Sequence, residues 1–236
     1  MKSSYYKYFA ALLLFGSNGI VASNINLHSY EIVLLRLLLG SLFLITVFTV
    51  SRQRFTFYRN KHTCLYLFIS ASAMGASWML LYEAYQQVGI SIASLAYYCG
   101  PVIVMILSPF LFRETLTWPK LAGFLTVLAG MCLVNLQALD EGKTIWGLFC
   151  GLMSAFMYAL MVTANKKAKP ESGLENSLLQ LVIGSFIVVA FVSMQKNFVL
   201  SLTTIDWIPV LLLGLLNTGI GCYLYFSSIT DLPVQT

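Results

Sequence analysis

The stretch Ile32-Val33-Leu34-Leu35-Arg36-Leu37-Leu38-Leu39-Gly40-Ser41-Leu42-Phe43-Leu44-Ile45-Thr46-Val47-Phe48-Thr49-Val50 runs straight into Ser51-Arg52-Gln53-Arg54. A hydrocarbon core about 30 Å thick needs roughly 20 mostly apolar helical residues to cross it. This run supplies that length with a single charge, and a basic cluster follows at once. Working outward, similar runs fill the chain. With this one they predict eight spans, near Tyr8–Ser23, Ile32–Val50, Cys64–Tyr85, Ile92–Phe112, Leu121–Leu136, Ile145–Thr163, Ser177–Met194 and Trp207–Ile229. Hydrophobic residues make up 58% of the chain and charged residues 10%, which leaves no room for a soluble domain of any size. The fold class expected is an all-α polytopic membrane protein.

Lys and Arg in short loops are retained on the cytoplasmic side. One set of alternate segments holds Lys2, Lys7, Arg52, Arg54, Arg59, Lys61, Arg113, Lys120, Lys166, Lys167 and Lys169, whereas the other holds only Lys143 and Lys196. Both termini are therefore expected in the cytoplasm of a cell-membrane protein. The net charge of +5 is mostly this asymmetry and calls for no nucleic-acid partner. A cleaved signal peptide is the competing reading of Lys2, Lys7 and the run that follows. The five cysteines, Cys64, Cys99, Cys132, Cys150 and Cys222, lie in or beside spans without CxxC spacing and read as small packing residues.

Tyr8-Phe9-Ala10-Ala11-Leu12-Leu13-Leu14-Phe15-Gly16-Ser17 resembles Trp146-Gly147-Leu148-Phe149-Cys150-Gly151-Leu152-Met153-Ser154-Ala155. Ala84-Tyr85-Gln86-Gln87-Val88-Gly89-Ile90-Ser91 likewise resembles Ser228-Ile229-Thr230-Asp231-Leu232-Pro233-Val234-Gln235. Both similarities imply a period of five spans, and an odd period turns the second copy upside down. The basic bias flips between halves as that requires. The reading is a first repeat at 1–139 and an inverted, incomplete second repeat at 140–236, which makes eight helices of an expected ten.

Charged groups inside spans are expensive and normally face a cavity or a partner. Arg36 and Glu83 lie at similar depth with opposite sign, so they are expected to pair. Gly16-Ser17-Asn18-Gly19 weakens the first span in its middle, where Ser17 and Asn18 would line a pliable, cavity-facing segment; close helix packing is the alternative. Tyr97-Tyr98-Cys99-Gly100-Pro101, with Pro109 beyond, is expected to kink the fourth span at a substrate path. Trp78, Tyr82, Tyr158, Asn217, Tyr223 and Tyr225 add stacking or hydrogen-bonding groups at membrane depth, although any of the aromatics could belong to an interfacial belt instead. No HExxH, GxSxG, P-loop or clustered His is present. The reading is therefore a non-enzyme, with no catalytic residue, no metal site and no cofactor.

From Leu81-Tyr82-Glu83-Ala84-Tyr85-Gln86-Gln87-Val88-Gly89 to Ser94, through Gly100-Pro101-Val102 and Phe112-Arg113-Glu114-Thr115-Leu116-Thr117, the chain resembles the EamA family of the drug/metabolite transporter superfamily. Arg36 matches an arginine that the family places early in its second span, and Leu232-Pro233-Val234-Gln235 matches its second-repeat turn. The resemblance implies ten helices in two inverted repeats around a central cavity, moving small metabolites such as amino acids. The expected function is a secondary transporter working by alternating access, with a small-molecule substrate and the lipid bilayer as partners. The path is expected to be lined by the first, third, fourth, sixth and eighth spans. A non-transporting membrane scaffold, or an inactive fragment of such a transporter, is the alternative. A small-multidrug-type proton antiporter is disfavoured because the first span lacks an acid.

Overall fold

The computed structural model describes residues 2–114, 117–135, 145–193 and 207–233. Thr115, Leu116, Lys143, Lys196, Val234, Gln235 and the expected span ends Leu136 and Met194 lie outside the described residues. Within them the regular structure is helical, and five helical stretches are long and apolar enough to cross a bilayer.

The first run divides in two. α1 (Lys2–Gly16) and α2 (Asn18–Ala22) meet at Ser17, within the segment expected to be weak. α3 (Ser29–Val50) carries the quoted stretch. Leu38, Leu42 and Ile45 face outward from it, whereas Val33, Arg36, Leu37 and Leu44 turn inward. Apolar side chains on both faces are what a helix between lipid and protein carries.

α4 (Lys61–Tyr97) consists of two helical arms that meet at a non-helical residue, Gly89. Its first part runs antiparallel to α7 (Ile145–Ala168): Ser70 Oγ donates to the Met161 carbonyl at 2.9 Å, and Ser77 Oγ to the Ser154 carbonyl at 2.9 Å. Its last part comes back along the same partner. Gly151 lies against Ala84 and again against Ala93 and Ala96, and Gly100 lies against Ala155 and Tyr158. The reversal occurs at Gly89, whose φ of 79° and ψ of 162° belong to a region that only glycine enters freely. The expected third and fourth spans are thus the two arms of one hairpin.

α5 (Cys99–Phe112) begins after Tyr98, which places Pro101 in its first turn. A missing N–H costs nothing there. The kink expected at Pro101 is therefore a helix start instead, and Pro109 is the proline inside the helix. α6 (Trp118–Asn135) and α8 (Gly173–Ser193) follow. Gly75 of α4 meets the backbone of Gly184 on α8, a close approach that a side chain at Gly75 would push apart. The last run is α9 (Trp207–Leu211), a π-helical segment (Leu212–Ile220) and α10 (Gly221–Ile229).

α1 packs on α10, α4 on α7, and α3 on α8. Polar groups satisfy one another where α7 ends and α8 begins. Asn165 and Asn176, both fully buried, exchange amide hydrogen bonds at 2.9 and 3.0 Å. The Glu175 carboxylate accepts from Thr56 N and Thr56 Oγ1 at 2.6 Å and from Phe57 N at 2.9 Å. These bonds tie the basic connection after α3 to the start of α8.

Candidate functional site

Residues of α1–α7 and α10 line a cavity of about 560 Å³, within the range usual for small-molecule sites. Its wall is largely aromatic. Tyr158 Oη lies 2.9 Å from Tyr225 Oη; the Tyr97 ring meets Tyr158 edge-on at 5.4 Å, and Tyr8 stacks on Tyr225 at 5.8 Å. Tyr82 and Tyr85 lie 5.2 Å apart. The phenols place hydroxyls along an otherwise apolar wall that also includes Phe15, Met74 and Val104.

Arg36 is the charged group at the protein centre, 2% exposed. Three elements position it. Nε donates to Thr218 Oγ1 at 2.9 Å, Nη1 donates to Tyr82 Oη at 2.7 Å, and the guanidinium lies 4.1 Å from the centre of the Trp78 ring. Thr218 can serve because it sits in the π-helical segment. There its hydroxyl donates to the Leu213 carbonyl at 2.8 Å, five residues back, and keeps its lone pairs for Arg36. A stacked guanidinium gains up to ~2 kcal/mol when water is excluded. Nη2 is buried without a hydrogen-bond partner.

The pairing expected between Arg36 and Glu83 does not form. The Glu83 carboxylate accepts from Gln87 Nε2 at 3.0 Å, one turn along its own helix. Successive helical residues point about 100° apart, so Tyr82 and Glu83 cannot both face Arg36, and the aromatic residue takes that direction.

Asn18, Trp78, Tyr82, Tyr97, Tyr98, Pro101 and Tyr158 all border the cavity, as does Arg36. Ser17 and Asn217 do not. Asn217 Nδ2 donates to the Leu14 carbonyl, to Ser17 Oγ and to Asn18 Oδ1 at 2.9–3.0 Å, which clasps the break between α1 and α2 to the π-helical segment. Tyr223 lies elsewhere, with its ring 5.9 Å from Lys7 Nζ, while Tyr225, two residues on, faces the cavity. Tyr8, Tyr85 and Lys166 also border it and were not singled out by the sequence. The i, i+3 spacing of Tyr82 and Tyr85 was the signal available for Tyr85.

Lys166 differs from Arg36 in being fully used. Its ammonium donates to the carbonyls of Ile229, Thr230 and Leu232, one for each of its protons. It holds the end of α10, where cations suit exposed carbonyls.

The comparisons with known proteins identify the family. Residues 3–136 and 145–236 match the model of the EamA-like transporter family. An uncharacterized transporter, YxxF, of Bacillus subtilis (strain 168) is 26% identical over 232 residues, covering 95% of this chain and 73% of that protein. A biotin transporter of Salmonella typhimurium is 21% identical over 75% of this chain, which spans 60% of that transporter's length. A crystal structure of a protein with 17% identity has a TM-score of 0.78 and covers 100% of this chain and 82% of that one, so the fold is shared. The chain belongs to the EamA-like transporter family and is a multi-pass membrane protein.

Proposed function

We propose that this member of the EamA-like transporter family carries a small metabolite through the aromatic cavity by alternating access between two inverted repeats, 1–139 and 140–236. The observation that carries the reading is the cavity itself: one site drawn from both halves of the chain, with a buried, incompletely satisfied cation in its wall. Small metabolites, the class implied by the family resemblance, fit its volume.

The packing supports the repeats. Exchanging the first span with the sixth, the second with the seventh and the third with the eighth turns the α1·α10 contact into the α7·α4 contact and carries α3·α8 onto itself. The same exchange turns the contact of α3 with the π-helical segment into that of α8 with α4. Each pair has a mid-helix polar clasp, Asn217 with Ser17 and Asn18 in one, Ser77 with Ser154 in the other. In inverted-repeat transporters, rocking one repeat against the other exposes a fixed midplane site to each side in turn.

The test is a metabolite-efflux screen in cells producing the protein, followed by flux in reconstituted vesicles. At least one small metabolite should cross faster than in vesicles without protein. A protein that moves none of the pool is a scaffold, and the reading fails.

The proposed orientation places both termini and the basic connections in the cytoplasm of a cell-membrane protein. Single cysteines replacing Asp140 or Leu200 should react with an impermeant maleimide on intact cells. Cysteines replacing the exposed residues Arg59 or Glu171 should react only after permeabilisation. Labelling of Arg59→Cys from outside would invert the assignment.

A further inference from the structure

We propose that the cavity selects organic monocarboxylates with an apolar or aromatic body, the carboxylate being received by Arg36. This deepens the transport reading and rests on it. Two cations border the cavity, and no Asp or Glu does so among the described residues. Only one of the cations has capacity left. Lys166 spends its three donors on three backbone carbonyls, whereas Arg36 keeps Nη2 unpartnered at 2% exposure.

A guanidinium is a planar fork that matches a carboxylate with two parallel N–H bonds. Here the fork is held on one side. Thr218 fixes Nε, and Trp78 fixes the plane, so the Nη1 and Nη2 edge is the one left for a ligand. Nη1 is held by the Tyr82 phenol at 2.7 Å. A carboxylate takes both nitrogens when that phenol swings aside, which couples occupancy to a movement of α4. The rest of the wall sets the remainder of the ligand. Ring faces and edges of Tyr8, Tyr85, Tyr97, Tyr158 and Tyr225 accept an apolar or aromatic body with an occasional hydroxyl.

Zwitterions are disfavoured by the same charges. An ammonium on the carbon next to the carboxylate would sit about 5 Å from the guanidinium, and at an effective dielectric constant of ~20 that repulsion is worth on the order of 100-fold in affinity. No carboxylate among the described lining residues offsets it. Tyrosine faces attract a cation and recover part of that loss, so the net preference expected is smaller, about 10-fold.

The experiment is calorimetric titration of the purified full chain with three probes of one shape: 3-phenylpropionate, 3-phenylpropionamide and L-phenylalanine. The carboxylate should bind at least about 10-fold more tightly than either of the others, the difference expected of charge-assisted bonds over neutral ones. Arg36→Gln should remove the preference, weakening the carboxylate by at least about 10-fold more than the amide, and Arg36→Lys should keep part of it. Equal binding of carboxylate and amide by the unaltered protein overturns the proposal without any variant, as does a zwitterion that binds as well as the carboxylate, or no binding of the carboxylate at millimolar concentration. The transport reading fails separately. A protein that binds 3-phenylpropionate through Arg36 yet moves no metabolite in the efflux screen keeps its carboxylate site and loses its function. One that carries only neutral or zwitterionic metabolites keeps its function and loses the carboxylate site.

Discussion

Arg36→Met is expected to cut flux of the transported metabolite by about 10- to 100-fold, the loss of one to two charge-assisted hydrogen bonds, while the melting temperature in detergent holds or rises. The two halves of this expectation have one cause. Arg36 is 2% exposed, and its contacts are a threonine hydroxyl, a phenol and ring faces, not a carboxylate. A buried charge without a counter-charge costs several kcal/mol to desolvate, and removing it relieves that cost. Thr218 Oγ1 still donates to the Leu213 carbonyl afterwards, so the π-helical segment keeps its own bond. A buried ion pair would behave in the opposite way, since removing one partner strands the other at a cost of about 3–5 kcal/mol. A drop in melting temperature of more than about 10 °C, the equivalent of that cost in a chain of this size, would mean that Arg36 is there for the fold. Retained flux would mean that it is not at the path.

The difference between those two outcomes marks where sequence reasoning stopped. Depth along a helix follows from residue position at 1.5 Å per residue, and on that basis Arg36 and Glu83 are expected at similar height. Azimuth does not follow from one sequence, because it depends on which face the neighbours cover. A rotation of about 100° separates Tyr82 from Glu83 and puts a ring rather than an acid against the guanidinium. Tyr223 and Tyr225 teach the same lesson two residues apart, one beside Lys7 and the other in the cavity wall.

Other parts were legible because their signal is local. Hydropathy located the runs that became α3, α7 and α8. The glycines and polar residues of Gly16-Ser17-Asn18-Gly19 marked a weak point, and the helix divides there. The short polar interruption between the third and fourth apolar runs marked the break between them, and Gly89 performs the reversal there. The π-helical segment left no trace in composition. A single residue of extra winding is decided by the partners it reaches, here Arg36 through Thr218 and the α1–α2 break through Asn217. Pro101 shows the limit of a residue-type rule: proline predicted a kink, but its place in the first turn of α5 makes it a helix start.

The account stands on the cavity being the path, and the most direct measurement fills it. Ser94 borders the cavity, is half-buried and lies on the returning arm of α4. Tryptophan at that position would occupy a substantial part of the 560 Å³ without a new charge or a new buried backbone group. Flux of the metabolite found in the efflux screen is measured in vesicles reconstituted with equal amounts of unaltered protein and Ser94→Trp, with melting temperature as the control for folding. The account predicts flux reduced at least about 100-fold, as expected when a bulky group denies a site to its ligand by more than about 2.7 kcal/mol, with melting temperatures that agree. Undiminished flux through a folded Ser94→Trp protein would place the path elsewhere and contradict the account.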